Sequence, residues 1–180
     1  MTVTATPDAG QMMNRLVREA GGPSEPAADM ADLAELLRNL LAVTRREDTI
    51  VRLGGNLFDV VVTSSSFKAR AAVDVMDEIQ GGCGPVIEDT RDGSFYWLVP
   101  PGTAERWPQH THAVCLGAPC RITLPSLDST SWPSVPGPYW YRPSRSDRLV
   151  PGMPLWKTLA LHQPEPTPHA AFEKRLGGTL

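Results

Sequence analysis

The side chains best suited to holding a metal fall in one short run. His110, His112, Cys115 and Cys120 lie within HTHAVCLGAPC, eleven residues whose imidazoles and thiols are all zinc-ligand types. The spacings, H-x-H and C-x4-C, match those of zinc sites only loosely. On an extended strand His112 and Cys115 would also point to opposite faces, because an odd number of positions separates them. The simpler arrangement is an exposed histidine pair beside a buried cysteine that behaves as a small apolar residue. No metal and no other cofactor is therefore expected. Cys83, set between glycines, is placed to meet solvent, yet Glu88 and Asp89 nearby are the wrong sign to activate a thiol. Ser64, Ser65 and Ser66 carry no nucleophile motif, so no catalytic residue is assigned.

A second constellation is aromatic and basic. In GPYWYRPSRSDR, Tyr139, Trp140 and Tyr141 alternate faces, and Arg142, Arg145 and Arg148 follow. Stacked rings with interleaved guanidinium groups are how grooves for single-stranded nucleic acid work. Lys68 and Arg70, in the first turns of a helix that starts after the serines, extend the set. The candidate face for nucleic acid or nucleotide is Lys68, Arg70, Trp140, Arg142 and Arg145. Against it, a net charge of -3 gives no global pull toward polyanions, and no RNP-type or KH-type signature accompanies the patch. The favoured alternative turns Trp140 inward and leaves a solvated basic loop. At Ser64 to Arg70, serine capping of the helix is likewise favoured over anion binding, since glycines are missing there.

The elements that must position these residues follow from periodicity. Ala27 to Arg46 is the strongest helix pattern, with Met30, Leu33, Leu37, Leu40 and Leu41 on one stripe. Asp29 and Asp32 near its start and Arg45 and Arg46 at its end suit the helix dipole. This stripe either packs across the chain's own sheet or meets a protein partner or second copy. From Thr49 the pattern turns to strands: Ile50 to Leu53, then Leu57 to Val62, whose near-continuous apolar run suits a strand buried on both faces. A helix to about Gln80 should bury Phe67, Ala71, Val75 and Ile79. A hairpin follows, with Pro85 to Ile87 and Phe95 to Val99 joined at Arg91-Asp92-Gly93. Pro100 to Gln109 reads as a loop, Ala113 to Leu116 and Arg121 to Leu124 as strands, and 125 to 138 as irregular. Tyr139 to Tyr141 is an edge strand, and a last helix ends near His162, burying Leu155 and Leu159.

The expected fold is thus α/β of the α+β kind, a small mixed sheet flanked by helices. A helical arm (1–48) precedes the core (49–162), and a flexible tail (163–180) follows. The 180 residues suffice for a real core. Three cysteines form no secreted disulfide framework, and the first residues lack a signal peptide's regions. No apolar run approaches the ~20 residues that span a bilayer. A cytoplasmic protein with no membrane contact is expected, and its Ala, Gly, Pro and Arg content suggests a GC-rich bacterial source.

The spacing of GGNLFDVVV, a helix, GPVIEDTRDGSFYWLVPPG, AVCLGAPCRITLPS and GPYWYRP resembles the N-terminal domain of bifunctional DNA primase/polymerases. It looks most like the small, divergent versions from GC-rich bacteria. The match covers 50–143 and leaves the N-terminal helices aside. Active members of that family carry two alternating acids on the first core strand, a histidine on the second hairpin strand, and another acid on a later strand. Those acids hold divalent metals. Here Asp59 stands for the first acid, but its alternate neighbour is Val61. Ser94 or Tyr96 stands at the histidine position, and Ala113 to Leu116 holds no acid. The resemblance therefore implies a domain without polymerase chemistry, and the expectation is a non-enzymatic interaction or regulatory module. The alternatives are a nucleic-acid or nucleotide binder, and an enzyme whose site only the fold assembles.

Overall fold

The computed structural model describes residues 48–80, 83–143 and 148–165. Met30, Leu33, Leu37, Leu40, Leu41 and Arg145 lie outside the described residues. Within them, β1 (Thr49–Arg52) pairs with β6 (Arg121–Leu124) as a two-stranded sheet. The remaining strands are β2 (Asp59–Ser64), β3 (Val86–Asp89), β4 (Ser94–Val99), β5 (Val114–Leu116) and β7 (Pro138–Arg142). They form a five-stranded sheet in the order β5-β2-β4-β3-β7. Every ladder is antiparallel, so the expected α+β class holds, with two antiparallel sheets where one mixed sheet was expected.

The interior strand β2, DVVVTS, has no solvent face because each side carries its own core. Val60 and Val62 join Tyr96, Leu98, Ile87 and Trp140 beneath β1 and β6, whose Val51, Ile122 and Leu124 close that layer. Val61 joins Phe95, Trp97 and Val99 beneath the helices. These are α1 (Phe67–Gln80) and α3 (Gly152–His162), while the one-turn α2 (Thr103–Arg106) interrupts the expected loop. Thr158 of α3 donates to the Met76 sulfur at 3.5 Å. Glu165, just past α3, reaches Ser64, just before α1. The two helices therefore run antiparallel.

The buried stripe of α1 differs from the expected one. Ala69, Ala72, Val73 and Met76 face the sheet, Ala71 and Val75 are half-buried, and Phe67 is 85 % exposed. FKARAAVDVMDEIQ offers two overlapping apolar stripes. The one with alanines at the closest approach lets the backbone settle on Phe95 and Trp97. Ser66 caps the helix as expected, its Oγ 3.5 Å from the Ala69 amide.

The hairpin of β3 and β4 turns through Thr90 to Gly93, and Gly93 alone takes the left-handed conformation, at φ 66°. A glycine is needed there because a Cβ would crowd its own carbonyl. On β7, the outermost strand, the Trp140 amide donates to the Ser129 carbonyl at 2.7 Å, so the loop 125–137 lies along part of its open side.

Candidate functional site

Of the residues expected to form a basic, aromatic face, Arg70 and Arg142 meet around Tyr141 at the junction of α1, β3 and β7, whereas Trp140 packs into the core layer on the other side of the sheet. Glu88 stands opposite Phe95 on β4 and Tyr139 on β7, which turns its side chain under α1. It is only 1 % exposed. Arg70, one turn into α1, donates from Nη2 to Glu88 Oε1 at 2.6 Å, and the Tyr139 hydroxyl donates to Oε2 at 2.6 Å. Both carboxylate oxygens are thus satisfied, as burial of a charge demands. Burial first, and then the Glu88 carboxylate, push the Tyr139 hydroxyl up to about 12.

Tyr141 sits between two cations. The Arg70 guanidinium lies 4.9 Å from its ring centroid and the Arg142 guanidinium 5.5 Å, with Arg70 also 5.4 Å from Phe95. Such contacts are worth ~0.5–2 kcal/mol each. Arg142 is committed elsewhere too: its Nε donates to Asp77 at 2.8 Å, and Asp74 lies 3.4 Å away. The face therefore sets two guanidinium groups against three carboxylates and is not a positive field. Lys68 is exposed on the same helix. Trp140 is 2 % exposed, with its indole N–H on the Pro125 carbonyl at 3.2 Å, so it offers no face to a base.

Glu88 and Asp77 were not singled out from the sequence as members of this cluster, and Tyr139 was named in its aromatic stretch but not in the candidate face. The signal for Glu88 was a charge inside VIED, between apolar residues of a buried strand. The signal for Asp77 was its place three residues after Asp74, which puts both acids on the flank of α1 that meets β7.

Asp59, the expected stand-in for a metal-binding acid, is buried at the start of β2 and turned toward α2. Its Oδ2 accepts from the Ala104 amide at 2.9 Å, and the amides of Gly102 and Thr103 also bear on it. Burial raises its pKa, and those amides work against the rise. Asp59 is thus a cap for the α2 turn.

The histidines and cysteines do not converge. Among the described residues, no three His, Cys, Asp or Glu side chains gather as a metal would need. Cys115 is half-buried on β5, opposite Val61, and Cys120 packs under β1 and β6. Cys83 is buried rather than open, because it packs into the core cluster beneath the helices. Burial first, and Asp77 second, push its thiol up to about 12. The expected exposed histidine pair is also corrected: His110 is 8 % exposed, and His112 is half-buried. His110 lies among the rings of Trp107, His112 and Trp156.

No family model matches the chain, and no curated protein or solved structure is significantly similar to it. No described helix is long and apolar enough to cross a membrane.

At the other end of the helical layer, Ser64 Oγ donates to Glu165 at 3.0 Å. The Ser66 hydroxyl, first, holds that exposed carboxyl below its usual range, with Lys68 adding to the effect. Phe67 and Leu161, 85 % and 83 % exposed, stand at this same end, since α1 begins where α3 finishes.

Proposed function

We propose that this chain is a non-enzymatic interaction or regulatory module of the cytoplasm, a primase/polymerase-like domain without the metal site. Phe67 and Leu161 carry the proposal. They are large apolar side chains displayed almost fully to water at one end of the helix pair. Leaving both there costs solubility, and an interaction surface gives them a use. In the sequence, Met30, Leu33, Leu37, Leu40 and Leu41 recur at helical spacing, and that pattern is a second candidate for contact with a protein partner or second copy. The buried acids support the same view from the other side. Asp59 caps a turn, Glu88 binds Arg70 and Tyr139, and Asp89 accepts from the Arg91 Nε at 2.9 Å. Each is occupied by structural work.

The test is the mass of the full chain in solution by light scattering, beside Leu33→Asp/Leu40→Asp and Phe67→Asp/Leu161→Asp variants. A discrete oligomer that either pair of substitutions reduces to a monomer is the expected result. A monomer that shifts single-stranded DNA in a salt-sensitive way, and stops on Arg142→Ala, would replace this proposal with the nucleic-acid one.

A further inference from the structure

The loop 107–112 is joined to α3 by a reciprocal pair of hydrogen bonds, and one of them runs through a histidine. Trp156 Nε1–H donates to the Pro108 carbonyl at 3.2 Å. In return, His110 Nε2 meets the Trp156 carbonyl at 3.3 Å. The other ring nitrogen fixes which form of His110 this is. Its Nδ1 lies 3.0 Å from the His112 amide, and a backbone N–H can only donate, so Nδ1 bears a lone pair. The proton of the neutral ring therefore sits on Nε2 and points at Trp156. Both nitrogens are used, and only the neutral imidazole satisfies both.

Two neighbouring atoms are left without partners. Trp107 Nε1 and His112 Nδ1 are both buried with no hydrogen bond. Closing the loop thus strands an indole donor and an imidazole nitrogen away from water, a state that opening would relieve. The closed arrangement is held by few bonds and opposed by two orphaned groups.

We propose that His110 is a proton-operated latch between the loop 107–112 and α3, closed when neutral and released on protonation. A second proton on the ring would sit on Nδ1, facing the His112 amide donor to donor. The bond that shapes the loop would be lost, and a cation would be enclosed among the rings of Trp107 and Trp156. The titratable group that bears on His110 is His112, on the same loop, and its charge would add to the repulsion. From α3 the Trp156 indole lies 5.2 Å from the ring at 88°, and the Trp156 carbonyl meets its Nε2. Burial accordingly holds the His110 pKa below the ordinary imidazole range.

The sign follows. A histidine whose folded pKa is lowered stabilises the closed state fully above about pH 6.5, and that contribution fades as pH falls through the lowered value. Release frees Trp107 and Trp156, so acidification uncovers an aromatic surface at the start of α3. This latch does not depend on the proposed interaction function.

Amide hydrogen exchange of the full chain at several pH values, corrected for intrinsic rates, tests it. Opening of 107–112 should rise by up to about tenfold per pH unit between pH 6.5 and the lowered His110 value, and then level off, while β2 and β4 stay protected. The His110 ring resonance should titrate where that rise levels off, a readout that survives even if a substituted protein folds poorly. His110→Phe should leave the exchange of 107–112 independent of pH, and His112→Gln should retain the dependence. A flat profile in the natural sequence, or an unchanged midpoint in His110→Phe, would overturn the latch.

Discussion

Replacing Arg70 by Met should be among the most damaging single changes to the core, although Arg70 is itself half-exposed. The substitution keeps the alkyl stem over Phe95 and removes the guanidinium that meets Glu88 at 2.6 Å. Glu88 then remains as an enclosed carboxylate with one donor, the Tyr139 hydroxyl. Breaking a buried pair from one side costs about 3–5 kcal/mol. Loss of the stacking on Tyr141 adds up to ~1 kcal/mol at this half-exposed position. The expected penalty is therefore about 3–5 kcal/mol, read as a shift in urea midpoint at constant slope, or a fall in Tm on the order of 15 °C. Glu88→Leu added to Arg70→Met should recover about 1–2 kcal/mol, since no charge is left to strand. A penalty for Arg70→Met below 1 kcal/mol would refute the argument. So would strict additivity of Arg70→Met and Glu88→Leu.

Three further outcomes follow from described contacts. Asp59→Ala should cost about 1 kcal/mol in chemical denaturation through loss of the α2 cap, and Asp59→Asn should cost less. Because burial raises the Asp59 pKa, this carboxyl makes the fold less stable as pH rises from about 4 through its raised value. Asp59→Asn should remove that segment of the stability–pH curve. Gly84→Ala should destabilise the domain by about 1–3 kcal/mol, because the new Cβ would lie 2.5 Å from the Val150 amide nitrogen on the strap leading into α3. Cys83, with its thiol raised to about 12, should resist a thiol reagent at pH 8 in the folded protein and react within seconds once urea unfolds it.

What could be read from the sequence divides along physical lines. Strand positions were legible because period-two patterning and a double-sided apolar run act locally: VVV in β2 is buried on both faces, and the stretch from Arg121 to Leu124 forms a strand as read. The face of α1 was not, because two stripes overlap and only the sheet beneath decides between them. Pairing direction was equally hidden, since the partner of a strand is a long-range matter. At the site, Arg70 of α1 and Arg142 of β7 flank the Tyr141 ring, while Trp140 turns to the other side of the sheet. The neutralisation of the two arginines was not visible, because Glu88 comes from the hairpin and Asp77 from three turns along α1. The burial of His110 had no local signal either, as the Trp156 that covers it is 46 residues away.

The amide of Trp140 that binds the Ser129 carbonyl has a bearing on how copies of this domain can meet. An antiparallel sheet invites growth at its margins, where unpaired backbone groups can template a neighbouring chain. On one margin here the proline- and serine-rich loop already holds part of the backbone. On the other, β5 is three residues long, too short to seed a stable ladder. Fibril-like stacking through the main chain is thereby discouraged at both ends. Contacts at those two margins are therefore left to side chains.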